Sequence, residues 1–542
     1  MFDPLWRRRA LANLDETFDL IVIGGGITGA GVFFDAAQRG LRTLLVEQRD
    51  IASGTSSRSS KLVHGGLRYL KQMHFRITAT AARERDRMAV LNPLLVEPLR
   101  FVYPANRGDK MPSWQVDLGL WMYDRLTRKP QRHRHLEAED LERMVPGMAT
   151  DELEQAFSYG DARTDDARLT LAVTATGYAY GGLMLTRAEV KDLTRSAEGR
   201  IDGVVVHDLE DGSSHVIKAR VVVNAAGIWV DDLRQRCGLG KPRVRPSRGV
   251  HIVLPTARLP VKAAAMVPSP DDGRPIFLIP HPEGVLVGTT DIYDDGPRDN
   301  PRATRGEVDY LLRAMATHFP TNKLVNEDIV GVFAGLRPIL DSHSDNPSDA
   351  SREEDIWEER GMISVAGGKL TTWRTTAEDT VDEVVRYLPD EREEQLARCY
   401  TKGTPLVGYA PLDLAPRLEA QHQLSPNVAA AMARRLRGNA LWAPHLARSA
   451  EELTPLAEGT DLCAAEVRSH LAYGAVVRLE DLLLRRARLA MWAPEAALTV
   501  APLLRPYFEQ EFGWDSKRWE QELDLFHQAA EAWSPAGVRE EG

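Results

Sequence analysis

Cysteine is nearly absent: Cys237, Cys399 and Cys463 are the only three in 542 residues, and no two form a CxxC pair. A cysteine-rich zinc site, an iron–sulfur cluster and a disulfide framework are thereby excluded, no metal site is expected, and the usage suits a reducing compartment. No apolar run approaches the roughly 18 residues that a membrane-spanning helix needs. The opening Met1-Phe2-Asp3-Pro4-Leu5-Trp6-Arg7-Arg8-Arg9 has cations but no apolar stretch behind them, so it does not read as a secretory signal. Positive charge is not in excess either: a net charge of −10 and a pI near 5.9 argue against a general nucleic-acid binder. Internal repeats and low-complexity tracts are also lacking. What is present is an ordinary soluble composition, 43% apolar and 27% charged, which excludes whole-chain disorder. At roughly 100–200 residues per domain the length suggests three domains. The expected location is the cytoplasm or the cytoplasmic face of a membrane.

The strongest local signal lies near the start. Phe18-Asp19-Leu20-Ile21-Val22-Ile23 reads as a buried parallel strand and runs into Gly24-Gly25-Gly26-Ile27-Thr28-Gly29, a small-residue helix and a second strand, Thr43–Val46, closed by Glu47. In such a βαβ unit Gly24 permits the tight turn, Gly26 lets backbone approach a pyrophosphate, and Gly29 lets the helix pack close to the sheet. Glu47 can accept from ribose hydroxyls and disfavours a 2′-phosphate. The helix N-terminus offers N–H donors and partial positive charge to phosphates. The motif by itself leaves NAD and FAD both open.

A second glycine turn, Gly367-Gly368-Lys369-Leu370-Thr371-Thr372, follows the strand-like Met362–Ala366 and precedes a helix predicted over Thr371–Val385. On a flavin reading, that helix start would stabilise negative charge on the reduced ring, with Thr371 or Thr372 as its cap. Between these turns lie a serine-rich loop at 53–66, a charged helical pattern over about 76–100, and a hairpin of Gly203–His207 with His215–Asn224 leading to Ala225-Ala226-Gly227. From about residue 400 strands vanish, and helices of 12–16 residues separated by Pro or Gly are predicted.

Taken in order, Ile23–Gly31, Thr55-Ser-Ser-Arg-Ser-Ser-Lys-Leu-Val-His-Gly-Gly-Leu-Arg-Tyr-Leu70, Val287-Gly-Thr-Thr-Asp291, Gly335-Leu-Arg-Pro338 and Gly367–Thr372 resemble the FAD-dependent sn-glycerol-3-phosphate dehydrogenases of the aerobic, respiratory type. The likeness runs from about 17 to 385 and continues more loosely to Val477–Arg486. One departure is His281, after Ile279-Pro280, where that family usually has Trp. The resemblance implies an α/β fold: a Rossmann-like FAD-binding domain (15–100, 161–236 and 328–388), a β-rich substrate domain (101–160 and 237–327) and an all-α C-terminal cap (400–535).

It further implies FAD held by Gly24, Gly26, Gly29, Glu47, Thr55, Ser56, Ser60, Gly227, Gly367, Gly368, Thr371 and Thr372. The implied reaction is oxidation of glycerol 3-phosphate to dihydroxyacetone phosphate, with electrons passed to membrane quinone and a homodimer allowed. A dianionic phosphate on a small alcohol needs fixed cations and a proton acceptor. Arg68, Arg337 and Lys369, each beside a glycine-rich motif, supply cations, and Tyr69 adds a hydrogen bond. His64 is the acceptor of choice and His281 a weaker one; an Arg stabilising alkoxide charge is the alternative. Peripheral membrane contact has two candidates: Leu118-Gly-Leu-Trp-Met-Tyr123 with its following Arg125, Arg128, Lys129, Arg132 and Arg134, and the N-terminal Leu5–Arg9. Rival readings are an oxygen-reducing oxidase of the same substrate, an amine or amino-acid oxidase, and a non-catalytic nucleotide-binding scaffold.

Overall fold

The computed structural model describes residues 2–66, 75–109, 111–126, 132–341 and 354–540. Its first sheet runs, edge to edge, Asp355–Glu359, Met362–Ala366, Ser214–Asn224, Phe18–Ile23, Thr43–Glu47 and Leu183–Thr186. All neighbours are parallel except the Asp355–Glu359 edge strand. Every residue of Phe18–Ile23 and Thr43–Glu47 is buried, as expected of strands covered on both faces. The helix Ile27–Arg39 sets Val32, Phe33 and Ala36 against Leu20, Val22 and Leu45, in one core with Ala377 and Val381 of the helix Trp373–Val385. Each of the larger side chains, Val, Leu or Phe, contributes about 1.5–3 kcal/mol on burial. The hairpin of Ile201–Asp208 with Ser214–Asn224 extends this sheet, Ser214 opposite His207.

A second sheet of ten strands includes Val96–Asn106, Leu153–Thr164, Val244–Leu254, Pro275–His281, Gly284–Gly288 and Gly331–Leu340. Three of these, Val96–Asn106, Leu153–Thr164 and Gly331–Leu340, cross the division expected from sequence. Val96–Asn106 pairs with Leu153–Thr164 along its whole length, so residues 96–100 belong with the second sheet. The charged helix stops at Leu91, before Asn92-Pro93, and Val96–Asn106 is a strand through its pairing with Leu153–Thr164 rather than through any alternation of burial. Gly331–Leu340 likewise pairs with Val244–Leu254 over ten positions, placing Arg337 in the second sheet opposite Ser247.

Beyond Ala366 no further strand is formed among the described residues. Helices Leu414–His422, Pro426–Leu436, Ala464–Tyr473, Arg505–Phe512 and Ser516–Glu531 have 9, 11, 10, 8 and 16 residues, mostly shorter than expected. Left-handed residues, Gln423 and Gly513, end two of them. This cap packs Leu479, Leu483, Trp492 and Phe508 into one core with Phe101, Tyr159, Leu286 and Phe333 of the second sheet. It also reaches the serine loop. Arg488, fully buried, pairs with Asp166 at 3.0 Å and donates to the Ser57 carbonyl at 3.0 Å, while Lys61 meets the same Asp166 at 2.8 Å. No described helix is long and apolar enough to cross a membrane.

Candidate active site

Two clefts meet at the carboxyl ends of the first sheet, where ligands of open α/β sheets bind. The first, about 220 Å³, is lined by Gly24, Gly26, Glu47, Thr55, Ser56 and Gly227 and runs to Gly367–Leu370. The second, about 300 Å³, is lined among others by Ser60, His64, His251, Arg274, Asp291 and Arg337. Thr55, Ser59, Pro338 and Gly367–Leu370 wall both. A long ligand in the first therefore reaches the second.

The first cleft fits a dinucleotide. Gly24 has φ +109°, and a Cβ there would lie 2.6 Å from the Ala225 carbonyl oxygen. At Gly29 a Cβ would lie 1.9 Å from the Gly24 carbonyl oxygen. Gly26 is different: the only atom near an added Cβ is Ser56 Oγ at 3.3 Å, so the protein leaves room there. Glu47 accepts from the Gly25 N–H at 2.7 Å and the Arg49 N–H at 2.8 Å, so part of its capacity holds the turn itself. Burial pushes its carboxyl above the usual range against the pull of those amides. Ser56 Oγ accepts from the Ile27 N–H at 2.9 Å, and Thr55 donates to the Leu336 carbonyl at 2.6 Å.

The second glycine turn departs from expectation in one respect. Leu370–Thr372 form a 3₁₀ turn and the α-helix begins at Trp373; neither threonine side chain caps it. Instead Thr371 Oγ1 accepts from the His64 N–H at 3.1 Å, tying this turn to the His64-Gly65-Gly66 segment. Thr372 Oγ1 is buried without a partner among the described residues. Gly367 and Gly368, at φ +76° and +77°, adopt a conformation that favours glycine.

In the second cleft Arg337 donates to Thr289 Oγ1 at 3.0 Å and pairs with Asp291 at 3.2 Å. Arg274 meets the other oxygen of Asp291 at 3.3 Å, and the Ser247 hydroxyl donates to the same carboxylate. Asp291 thus orients two guanidinium groups, and Arg58, Lys369 and Asp161 line the same cleft. The Arg337 guanidinium lies over Gly249, where a Cβ would be 2.2 Å from Nη2. His251 stacks on Phe333 at 4.9 Å and lies 2.8 Å from the Ser60 hydroxyl through Nε2. Arg274, Asp291, Gly249 and His251 carried no role in the sequence; Asp291 closes the Val287–Asp291 stretch and was the one with a visible signal. Arg68 and Tyr69 lie outside the described residues.

His281 does not line the second cleft; it sits against Trp492 of the cap at 4.8 Å, its Nε2 buried without a partner among the described residues. Burial, then the positive field of Arg163, pushes its imidazole well below the usual 6.5, and His251 shifts the same way through burial and Arg337. Such bases stay neutral in the folded state while the unfolded chain protonates near 6.5, so stability rises with pH below that value. The urea midpoint is expected to fall between pH 7.5 and 5.5, and His281→Phe, which keeps a ring on Trp492, to lessen that fall. An identical pH slope in the variant would remove His281 as a cause.

Comparison with known proteins agrees with this geometry. The family described as FAD dependent oxidoreductase matches residues 19–381, and that described as the C-terminal domain of alpha-glycerophosphate oxidase matches 399–519. An aerobic glycerol-3-phosphate dehydrogenase of Staphylococcus haemolyticus is 38% identical over 398 residues, 73% of this chain and 72% of that one. An X-ray structure of the glycerol-3-phosphate dehydrogenase from Bacillus halodurans complexed with FAD has a TM-score of 0.80 at 29% identity, covering 98% of each chain. The FAD-bound L-alpha-glycerophosphate oxidase from Mycoplasma pneumoniae, at 17% identity, TM-score 0.54, and coverage of 68% of this chain and 95% of that one, shares the fold alone. The chain belongs to the FAD dependent oxidoreductases, within the family of the aerobic glycerol-3-phosphate dehydrogenases.

Proposed function

We propose that the protein oxidises sn-glycerol 3-phosphate to dihydroxyacetone phosphate, with FAD in the first cleft, and passes the electrons to a membrane quinone. The observation that carries this reading is the shared wall, Gly367–Leu370, which joins a dinucleotide groove to a small cleft rich in cations. Bound FAD supplies the two-electron oxidant. Gly24 and Gly26, with the start of the helix Ile27–Arg39, hold its pyrophosphate, while Gly29 lets that helix pack close; Glu47, Thr55, Ser56, Gly227, Gly367 and Gly368 line its cleft, Ser60 and Thr371 line the second one, and Thr372 lines neither.

Arg337 and Lys369 hold the substrate phosphate, with Arg68 and Tyr69 added on the motif alone. A guanidinium forms two parallel bonds to phosphate, whereas the lysine acts as a point charge. The substrate's hydroxyl proton goes to an imidazole of the cleft. His64 is there, and so is His251, which is neutral at working pH and bonded to Ser60. The division into FAD-binding, substrate and cap domains stands as part of this proposal, with Val96–Asn106, Leu153–Thr164 and Gly331–Leu340 assigned to the substrate part.

The direct test is the anaerobic visible spectrum. A flavin band that bleaches with glycerol 3-phosphate, but not with glycerol or amino acids, is the expected result. A band that bleaches with an amino acid instead would overturn the substrate. In single turnover, Asn at His64 or His251 is expected to slow bleaching by about 10²–10⁴ at whichever position is the base. Normal rates in both would leave no imidazole in that role.

Membrane contact is proposed through the helix Ser113–Leu126. It buries Val116, Leu120 and Tyr123 and exposes Trp114, Leu118 and Trp121 on the other side, with Arg125 over the Trp121 ring at 4.6 Å. Aromatic residues beside cations suit a headgroup interface. The N-terminal candidate offers less on the same criterion: Leu5 is exposed, but Trp6 is buried and Arg7 pairs with Asp208 at 2.6 Å. Trp114→Ser with Trp121→Ser is expected to reduce sedimentation with anionic vesicles at least tenfold while turnover with a soluble dye stays normal. Undiminished binding would move the contact elsewhere.

A further inference from the structure

A third cleft, about 100 Å³, lies at the junction of the cap with the helix Asp166–Ala179, and its polar wall is largely arginine. Arg168, Arg435, Arg437 and Arg486 line it with His470, and no carboxylate does so among the described residues. Two of these cations are neutralised from behind. Arg435 pairs with Glu466 and Asp461, each at 2.5 Å, and Arg486 pairs with Asp50.

Among the described residues the other two have no ion pair. Arg437 is only 6% exposed and donates to the Val407 carbonyl. Burial alone pushes its guanidinium down to about 10, with no carboxylate to offset it. Among the described residues Arg168 donates only to the Ala487 carbonyl, at 3.5 Å, and its Nε is buried without a partner; the same side chain also walls a smaller cleft beside Asp165 and Glu283. The acids nearest in influence are already engaged: Asp165 with Arg488 at 2.9 Å and Glu283 with Arg434 at 3.4 Å. A buried, unpaired guanidinium destabilises the fold that holds it. A ligand of opposite charge removes that penalty.

The chemistry of the wall selects the ligand. Guanidinium groups bind tetrahedral oxyanions through paired N–H donors. Since one water occupies about 10–15 Å³ of such space, the cleft admits one oxyanion with a few waters. We propose that this junction cleft is a second anion site, separate from the substrate cleft, that takes inorganic phosphate or the phosphate head of a small monoester between Arg168 and Arg437. The assignment does not depend on the proposed reaction.

The test uses flavin-loaded enzyme carrying Arg337→Ala, so that the substrate cleft contributes little. A ligand that binds only the folded state raises Tm as its concentration passes Kd. Inorganic phosphate, at ionic strength held constant with chloride, is expected to raise Tm by several degrees, and Arg437→Gln to abolish the rise. In chloride alone Arg437→Gln should be no less stable than its parent, since it removes an uncompensated charge. Methyl phosphate is the second probe: a larger shift than inorganic phosphate identifies a monoester ligand, an equal or smaller one the free ion. Selenate soaked into wild-type crystals gives a reading that needs no variant, an anomalous peak within hydrogen-bond distance of both Arg168 and Arg437. A selenate peak confined to the substrate cleft, or a phosphate shift that survives Arg437→Gln, would overturn the proposal.

Discussion

Arg337→Ala is expected to lower kcat/KM for glycerol 3-phosphate by about 10²–10³, with flavin content unchanged. A charge-assisted, two-pronged contact to phosphate in a partly enclosed cleft is worth roughly 3–4 kcal/mol, and each 1.36 kcal/mol is a factor of ten. The loss should fall mainly on KM, because the phosphate is remote from the carbon that is oxidised. Two features separate this from general damage. The strand Gly331–Leu340 is anchored by its backbone pairing with Val244–Leu254, so the sheet does not need the side chain. Asp291 also keeps Arg274 and the Ser247 hydroxyl after Arg337 is gone. Gly249→Ala offers the same displacement by another route: its Cβ would occupy the space 2.2 Å from Arg337 Nη2 and push the guanidinium aside. It should raise KM less than the deletion does. Unchanged kinetics in Arg337→Ala would remove that residue from the substrate site.

The parts of this molecule that a sequence displays are those where one residue type is forced by local backbone. Gly24 and Gly29 are legible because no side chain fits at either position, and the buried run Phe18–Ile23 because a strand covered on both faces has no polar alternation. The cation wall was legible only in part. Arg337 and Lys369 stand beside glycine-rich stretches, but Arg274 follows an ordinary turn. It reaches Asp291 because Pro275–His281 and Gly284–Gly288 pair beside Val244–Leu254. His251 was invisible for the same reason: its place opposite Gly288 and beside Ser60 is a product of long-range pairing. The helical pattern expected up to about residue 100 gives way to a strand at Val96 for a local reason, since a charged strand whose burial does not alternate resembles the tail of a charged helix until its partner is known.

Gly26→Val is expected to yield a folded but colourless protein, and it is the sharpest test of the cofactor cleft. The neighbouring glycines cannot serve. At Gly24 any side chain meets the Ala225 carbonyl and a φ of +109°, and at Gly29 it meets the Gly24 carbonyl at 1.9 Å, so loss of flavin there could follow from loss of the turn. Gly26 has φ −75° and ψ 177°, a conformation valine adopts readily, and an added Cβ finds only Ser56 Oγ, at 3.3 Å. The isopropyl group would instead fill the cleft at the start of the helix Ile27–Arg39, where backbone amides face the space assigned to the pyrophosphate. Apoprotein stability should therefore match that of wild-type apoprotein. Against the flavin-loaded wild type the variant should lose what the cofactor contributes by mass action, about 4 kcal/mol at a thousandfold excess over Kd. A yellow, fully loaded Gly26→Val protein would refute the pyrophosphate assignment, whereas one that fails to fold even beside an intact wild-type apoprotein would mean that the turn is tighter than its 3.3 Å clearance indicates.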